Sequence, residues 1–196
     1  MNYKLGFTFV SLNKGNNYNL KPDILIRIAY NVSNLSDARY FAAYGFDWII
    51  FDFGPGAREH KHLIYGIAEW ISGAKIGIHV RSTDEIDHHM NNHPEITGFW
   101  LESELSFNTN EKYTFFSGTF IKKEANFFRI FTSPDKLNSN ENNQILDLTF
   151  NDPLSTDLNR ISADGIAISG TEEDRPGFKS YGNMEDWMDI LEEMQS

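Results

Sequence analysis

The residues able to do chemistry stand where short apolar runs give way to polar loops. In residues 166–171, Ile-Ala-Ile-Ser-Gly-Thr, the trio Ser169, Gly170 and Thr171 can offer amides and hydroxyls to a phosphate, or form a tight strand-to-loop turn. Asp147 ends the run that begins at Ile145, a position where a carboxylate faces a ligand or caps its loop. Arg58, in another loop, is an anion contact or a solvated arginine. Asp52, Glu102 and Asp147 are three carboxylates that could converge on a divalent cation. His89 and His93 have the spacing that grips a metal from one helix face, but Pro94 ends that helix and no third ligand is near, so no metal is expected. His79 reads as a core or rim histidine. No Ser/His/Asp hydrolase signature, Walker loop or dinucleotide fingerprint occurs, and no cofactor is implied.

Something must position these residues, and composition limits what. With 196 residues, 40% of them hydrophobic, one domain over 1–196 with one sizeable core is the default. Sixteen Phe fall largely in short apolar runs, as in strands buried on both faces. No run has the length of a membrane span, and the N-terminus lacks a basic region followed by an apolar one. Without cysteine there is no disulfide framework and no thiolate chemistry, which suits a soluble cytoplasmic protein. The net charge of −11 and the scattered Lys and Arg argue against nucleic acid or an anionic membrane as partner. A phosphorylated small molecule stays open, since a few amides or one Lys can hold a phosphate against the overall charge. Oligomeric state is not legible.

Strand-like and helix-like segments alternate. Residues 24–30 read as a strand, Ser33 or Asn34 can cap a helix to about Tyr44, Gly45 suits its terminus, and 48–53 is the next strand. Residues 59–72 form an apolar helical face closed by Gly73, followed by a strand at 75–80, a short helix capped by Thr83 and a strand at 96–101. Residues 113–121 and 127–131 read as a hairpin, or as one parallel strand with an irregular return. Another strand covers 144–150, after which the chain to Ile166 is too short for helix, strand and helix, because a full βα unit takes roughly 25–30 residues. Residues 1–23 form an extension with a strand or arm, and Met184, Trp187, Met188, Leu191 and Met194 stripe a closing helix.

Residues 25–38 (LIRIAYNVSNLSDA) and 166–179 (IAISGTEEDRPGFK) resemble the opening and closing βα units of phosphoribosylanthranilate isomerase. Between them, Asp47, Phe51, Phe53, Pro55 and Arg58 resemble its second strand and loop, and IGIHV at 76–80 its third strand. WLESE at 100–104 is similar to its fourth strand, and Ile145-Leu146-Asp147 to its sixth. The resemblance implies a TIM-type (β/α) barrel with a shortened arc between the sixth and last strands. It also implies an intramolecular aldose–ketose isomerase of tryptophan biosynthesis, in which an acid protonates the ribose ring oxygen and a base takes the proton from the adjacent carbon.

Carried over residue by residue, the resemblance makes Asp147 the general acid, Arg58 the contact for the anthranilate carboxylate, and Tyr30 the occupant of the catalytic cysteine's place. Asn31 falls on the glycine after that cysteine, Glu102 on a histidine, and Ala167 on an aspartate near the end of the eighth strand. The Gly-rich phosphate loops have no equivalent. A phenol with a reference pKa of about 10 is a poor base at neutral pH. The expectation is therefore an isomerase-like barrel without isomerase activity that retains at most a small-molecule or partner-binding role. One alternative is an active isomerase using Asp147 as acid with Glu102 or Tyr30 as base; another is a non-catalytic interaction scaffold.

Overall fold

Alternation along the strands sorts the apolar residues into an inner and an outer core. The computed structural model describes residues 26–54, 66, 68–105, 107, 110–119, 126–158, 161–170 and 182–193. Eight strands, β1 (Ile26–Val32), β2 (Trp48–Phe51), β3 (Lys75–Val80), β4 (Ile96–Leu101), β5 (Thr114–Ser117), β6 (Phe127–Phe131), β7 (Gln144–Asp147) and β8 (Gly165–Ser169), pair in parallel and in order. The last closes on the first, with Ile28 opposite Ala167 and Tyr30 opposite Ser169. Ile28, Tyr30, Trp48, Ile50, Phe116, Ile130, Ile145 and Ala167 fill the lumen. Their neighbours Ala29, Ile49, Phe51, Phe115, Leu146 and Ile166 face the outer layer.

Filling a narrow lumen with Trp48, Trp100 and Phe116 requires small residues opposite them. A Cβ on Gly98 would enter the Trp48 ring, one on Gly77 would strike Ile50, and one on Gly165 would meet the backbone of Ile26. The glycine of the fourth strand thus makes room for an aromatic filler, and those of the third and eighth make room for Ile50 and for the close approach of β1. They are not weak points in the sheet.

The outer layer is uneven. Helix α1 (Leu35–Ala43) follows β1, capped by Asn34 accepting from the Asp37 amide at 3.0 Å and ended at Gly45, whose φ is +73°. Residues 66 and 68–70 are helical before Gly73, and α2 (Thr83–Asn92) follows β3. Its cap is Ser82, one residue before the expected Thr83; the Ser82 hydroxyl accepts from the Glu85 amide, and the Glu85 carboxylate accepts from the Arg81 amide. Helix α3 (Gly182–Glu193) closes the chain and buries Met184, Trp187, Met188 and Leu191.

Between β4 and β8 the described residues contain no α-helix. Short 3₁₀ turns stand at Pro134–Lys136, before β7, and at Leu148–Phe150, after it; the second falls in the stretch from Asp147 to Ile166 that the sequence reads as shortened. Aromatic rings cover β4 to β6 instead: Phe99 meets Tyr113 at 5.4 Å between centroids, Phe107 meets Phe115 at 4.9 Å, and Phe115 meets Phe127 at 6.3 Å. Gln144, 1% exposed, closes the turn before β7 by donating to the carbonyls of Asn138 and Glu141 and accepting from the Asn138 amide.

The strand count corrects one expectation. Residues 114–117 and 127–131 are neither a hairpin nor a single strand; they are adjacent parallel strands, with Phe115 opposite Phe127. A link as short as 118–126 normally implies antiparallel pairing, because parallel crossovers usually need a dozen residues or more. Residues 144–147 are consequently the seventh strand, not the sixth, and no strand is missing before β8. The extension over 1–23 lies outside the described residues. Among those described, no helix is long and apolar enough to cross a membrane.

Candidate functional site

The C-terminal ends of the strands gather the polar residues. At the end of β1 the strand bulges at Asn31, whose φ is +53°, a conformation asparagine tolerates better than most residues. Its place in the resembled motif belongs to glycine, and the left-handed backbone accounts for that pairing. The bulge leaves Tyr30 pointing inward and returns Val32 to the outer core. The Tyr30 carbonyl accepts from the Gly170 amide at 2.6 Å, and Asn31 Nδ2 donates to Ser169 Oγ at 3.2 Å.

Inside the mouth, Tyr30 Oη donates to Asp147 Oδ2 at 2.6 Å, with both residues buried. The other carboxylate oxygen accepts from the Thr149 amide at 3.0 Å. The Tyr30 ring stacks on Trp100, 4.4 Å between centroids and 8° from parallel. Burial first, and then the negative field of Asp147, raise the Tyr30 phenol far above its ordinary range. Burial also raises the Asp147 carboxyl, against the hydrogen bonds from Tyr30 and Thr149 that favour its charged form.

A second cluster occupies the ends of β2 to β4. Gly77, His79 and Arg81 follow the inward alternation of β3, so His79 and Arg81 reach the mouth together. His79 Nδ1 lies 3.0 Å from Asp52 Oδ2, Arg81 Nη2 donates to the same oxygen at 2.6 Å, and the Gly54 amide donates to Asp52 Oδ1 at 2.8 Å. Arg81 Nε also reaches Glu102 Oε2 at 3.1 Å. Burial alone would raise Asp52, but the bonds from His79, Arg81 and Gly54 outweigh it and hold the carboxyl well below the usual range. The hydrogen bond to Asp52 raises Arg81 in turn. His79 Nδ1 thus faces the Asp52 carboxylate, and Nε2 has no hydrogen-bond partner.

Between the two clusters lies a pocket of about 340 Å³, with Tyr30, His79, Trp100, Glu102, Arg129 and Lys136 in its wall. Of the residues expected to form a site, Tyr30, Glu102 and Asp147 line it together. Asp147 does so from β7, one strand further round than its resemblance to a sixth-strand motif implies. Ser169 and Gly170 are close by, but their amides are engaged within the chain: Ser169 N donates to Thr149 Oγ1 at 2.8 Å, and Gly170 N to Tyr30. As arranged, neither amide is open to a phosphate. Arg58 and Thr171 lie outside the described residues. The three carboxylates do not meet around one point either, since Asp52 and Glu102 are bridged by Arg81 while Asp147 is bonded to Tyr30.

Sequence reasoning missed Arg81 and the pairing of Asp52 with His79. A signal existed in the alternation Gly77, His79, Arg81, which sends the last two residues into the mouth beside the end of β2. His89 and His93, 2% and 1% exposed, are helix and helix-end residues packed ring to ring at 5.2 Å, with His93 Nδ1 3.2 Å from Glu95.

No protein-family model matches the chain, and no curated protein matches it. Among solved structures it is similar to phosphoribosyl anthranilate isomerase from Thermus thermophilus, with 13% identity and a TM-score of 0.53 over 87% of this chain and 100% of that one. It is similar to the Thermotoga maritima isomerase at 12% identity, with the same TM-score and coverage. At such identities the likeness establishes the fold they share, a closed barrel of eight parallel strands.

Proposed function

We propose that this barrel, isomerase-like in fold, does not perform the phosphoribosylanthranilate rearrangement and uses its mouth to bind a small molecule. The carrying observation is the buried hydrogen bond from Tyr30 Oη to Asp147 Oδ2 at 2.6 Å. The rearrangement needs one group that gives a proton and another that takes one, both with pKa values tuned toward neutrality. In the resembled family a cysteine thiolate takes it; here a phenol held far above neutrality occupies that place and spends its proton on the carboxylate. Both oxygens of Asp147 are occupied, by Tyr30 and by the Thr149 amide. Asp147, which the resemblance makes the general acid of a sixth strand, stands on β7, while the end of β6 carries Phe131 and Thr132, neither of them an acid.

One observation favours the competing reading of an active isomerase: burial raises the Asp147 carboxyl, as a general acid requires. A base is harder to find. Glu102 is 58% exposed on its side chain and paired with Arg81, and Tyr30 is a donor. The deciding experiment is turnover of phosphoribosylanthranilate by purified protein, with complementation of an isomerase-deficient tryptophan auxotroph. Neither wild type nor Tyr30→Cys should show activity, since that repair restores a thiol without the phosphate loops that position substrate. Wild-type turnover of about 1 per second or more would establish the active reading.

A further inference from the structure

We propose that the mouth pocket binds a zwitterionic amino acid whose ammonium and carboxylate groups are held apart by an apolar spacer, the ammonium on Glu102 and the carboxylate on Lys136. The inference rests on the binding role just proposed and names the ligand class for the same pocket.

The first ground is which charges of the mouth are still open. Asp52 is bonded to Arg81, His79 and the Gly54 amide, and Asp147 to Tyr30 and the Thr149 amide. Arg129 borders the pocket, but its side chain lies on the outer face of β6, since Ile130 beside it points into the lumen and its guanidinium rests over the Phe131 ring. Two groups of the wall remain. Glu102 holds Arg81 Nε with Oε2 at 3.1 Å, its side chain is 58% exposed, and Oε1 has no partner among the described residues. Lys136, exposed in the turn after β6, has no acidic partner among them either. Arg81 weakens the pull of Glu102 on a lone cation, and one pair at a half-open mouth is worth little. A ligand with one charge of each sign meets both groups, whereas a simple cation or anion meets one and is repelled by the other.

The second ground is the surface between those two groups. Glu102 follows β4 and Lys136 follows β6, so two strand spacings, about 10 Å, separate their positions around the wall. Trp100, Ile130, Phe131 and Phe150 line the pocket along that span. Phe150 is 66% exposed, and a large aromatic left open beside a cavity is surface that a ligand gains by covering. An apolar spacer does so. A volume of about 340 Å³ is at the small end for small-molecule sites, and it suits a single short chain. An α-amino acid, with its two charges on neighbouring atoms, cannot reach both groups. The Ser169 and Gly170 amides, engaged within the chain, leave no second place for the anionic end.

The test uses the whole chain and four probes: 6-aminohexanoate, glycine, hexylamine and hexanoate. Binding is followed by calorimetry and by tryptophan emission, the Trp100 share being assigned by its loss in Trp100→Phe. The 6-aminohexanoate should bind about ten-fold more tightly than each of the others and change the Trp100 emission, as one added charge-assisted contact implies. In Lys136→Met its affinity should fall to that of hexylamine, and in Glu102→Gln to that of hexanoate. Equal binding of hexylamine, hexanoate or glycine to the wild type, unchanged affinity in either variant, or binding without a Trp100 response would overturn the assignment. So would no binding of 6-aminohexanoate at all. The wild-type comparisons stand even if a variant fails to fold. Isomerase turnover would sink the binding role itself, and none of these readouts depends on it.

Discussion

Removing the Tyr30 hydroxyl would take from Asp147 a donor that favours its charged form. Asp147 is raised in the folded state, so its contribution to stability is full below the ordinary carboxylate range and is lost as pH rises through the folded value. Tyr30→Phe should raise that value further. The variant should therefore lose about 1–3 kcal/mol at pH 7.5 and clearly less at pH 4, measured by urea unfolding at both; equal losses would show that the bond does not couple to the charge of Asp147. Asp52 has the opposite sign, since a depressed carboxyl contributes stability above the ordinary range and loses it as pH falls. Asp52→Asn should cost about 1–3 kcal/mol at neutral pH and converge on wild type in strong acid. From the sequence, Tyr30 and Asp147 were each visible as mouth residues, but their bond was not. It joins positions 117 apart and depends on Asp147 standing at the end of β7, beside β8 and near β1.

The barrel's strands show why some elements were legible and others were not. Wherever a helix with a cap and a glycine stop separates two apolar runs, as from β1 to β3, the βα rhythm is readable and the structure follows it. Between β4 and β8, among the described residues, aromatic rings and short turns replace helices. The 3.6-residue period disappears there, and loop length points to the wrong pairing. The shared lumen leaves a testable trace. Gly98→Ala places a methyl group in the Trp48 ring and should destabilise by about 1–3 kcal/mol through overpacking. Gly118→Ala, whose Cβ would sit 3.8 Å from its nearest neighbours, should be close to neutral. Chemical denaturation of the pair settles it: similar losses would mean that backbone freedom, and not room for Trp48, explains glycine at position 98.

At the scale of the whole molecule, a closed sheet carries a net charge of −11. Self-repulsion at that charge works against the compact state, while the ion pairs of the mouth are few and half-buried. Raising NaCl from about 10 to about 150 mM should accordingly raise Tm; a fall would mean that the Asp52–Arg81–Glu102 network contributes more than the global repulsion removes. The stack of Tyr30 on Trp100 has an optical consequence. The chain has four tryptophans: Trp48 and Trp187 are sealed in the two cores, Trp70 is 65% exposed, and Trp100 alone stands in the mouth with a phenol ring lying parallel to it. Two rings stacked so closely perturb each other's in-plane transitions, so the Trp100 emission and the near-ultraviolet ellipticity of the pair change when the rings part. The protein thus carries an intrinsic chromophore pair at its opening, and occupancy there can be followed by light without any label.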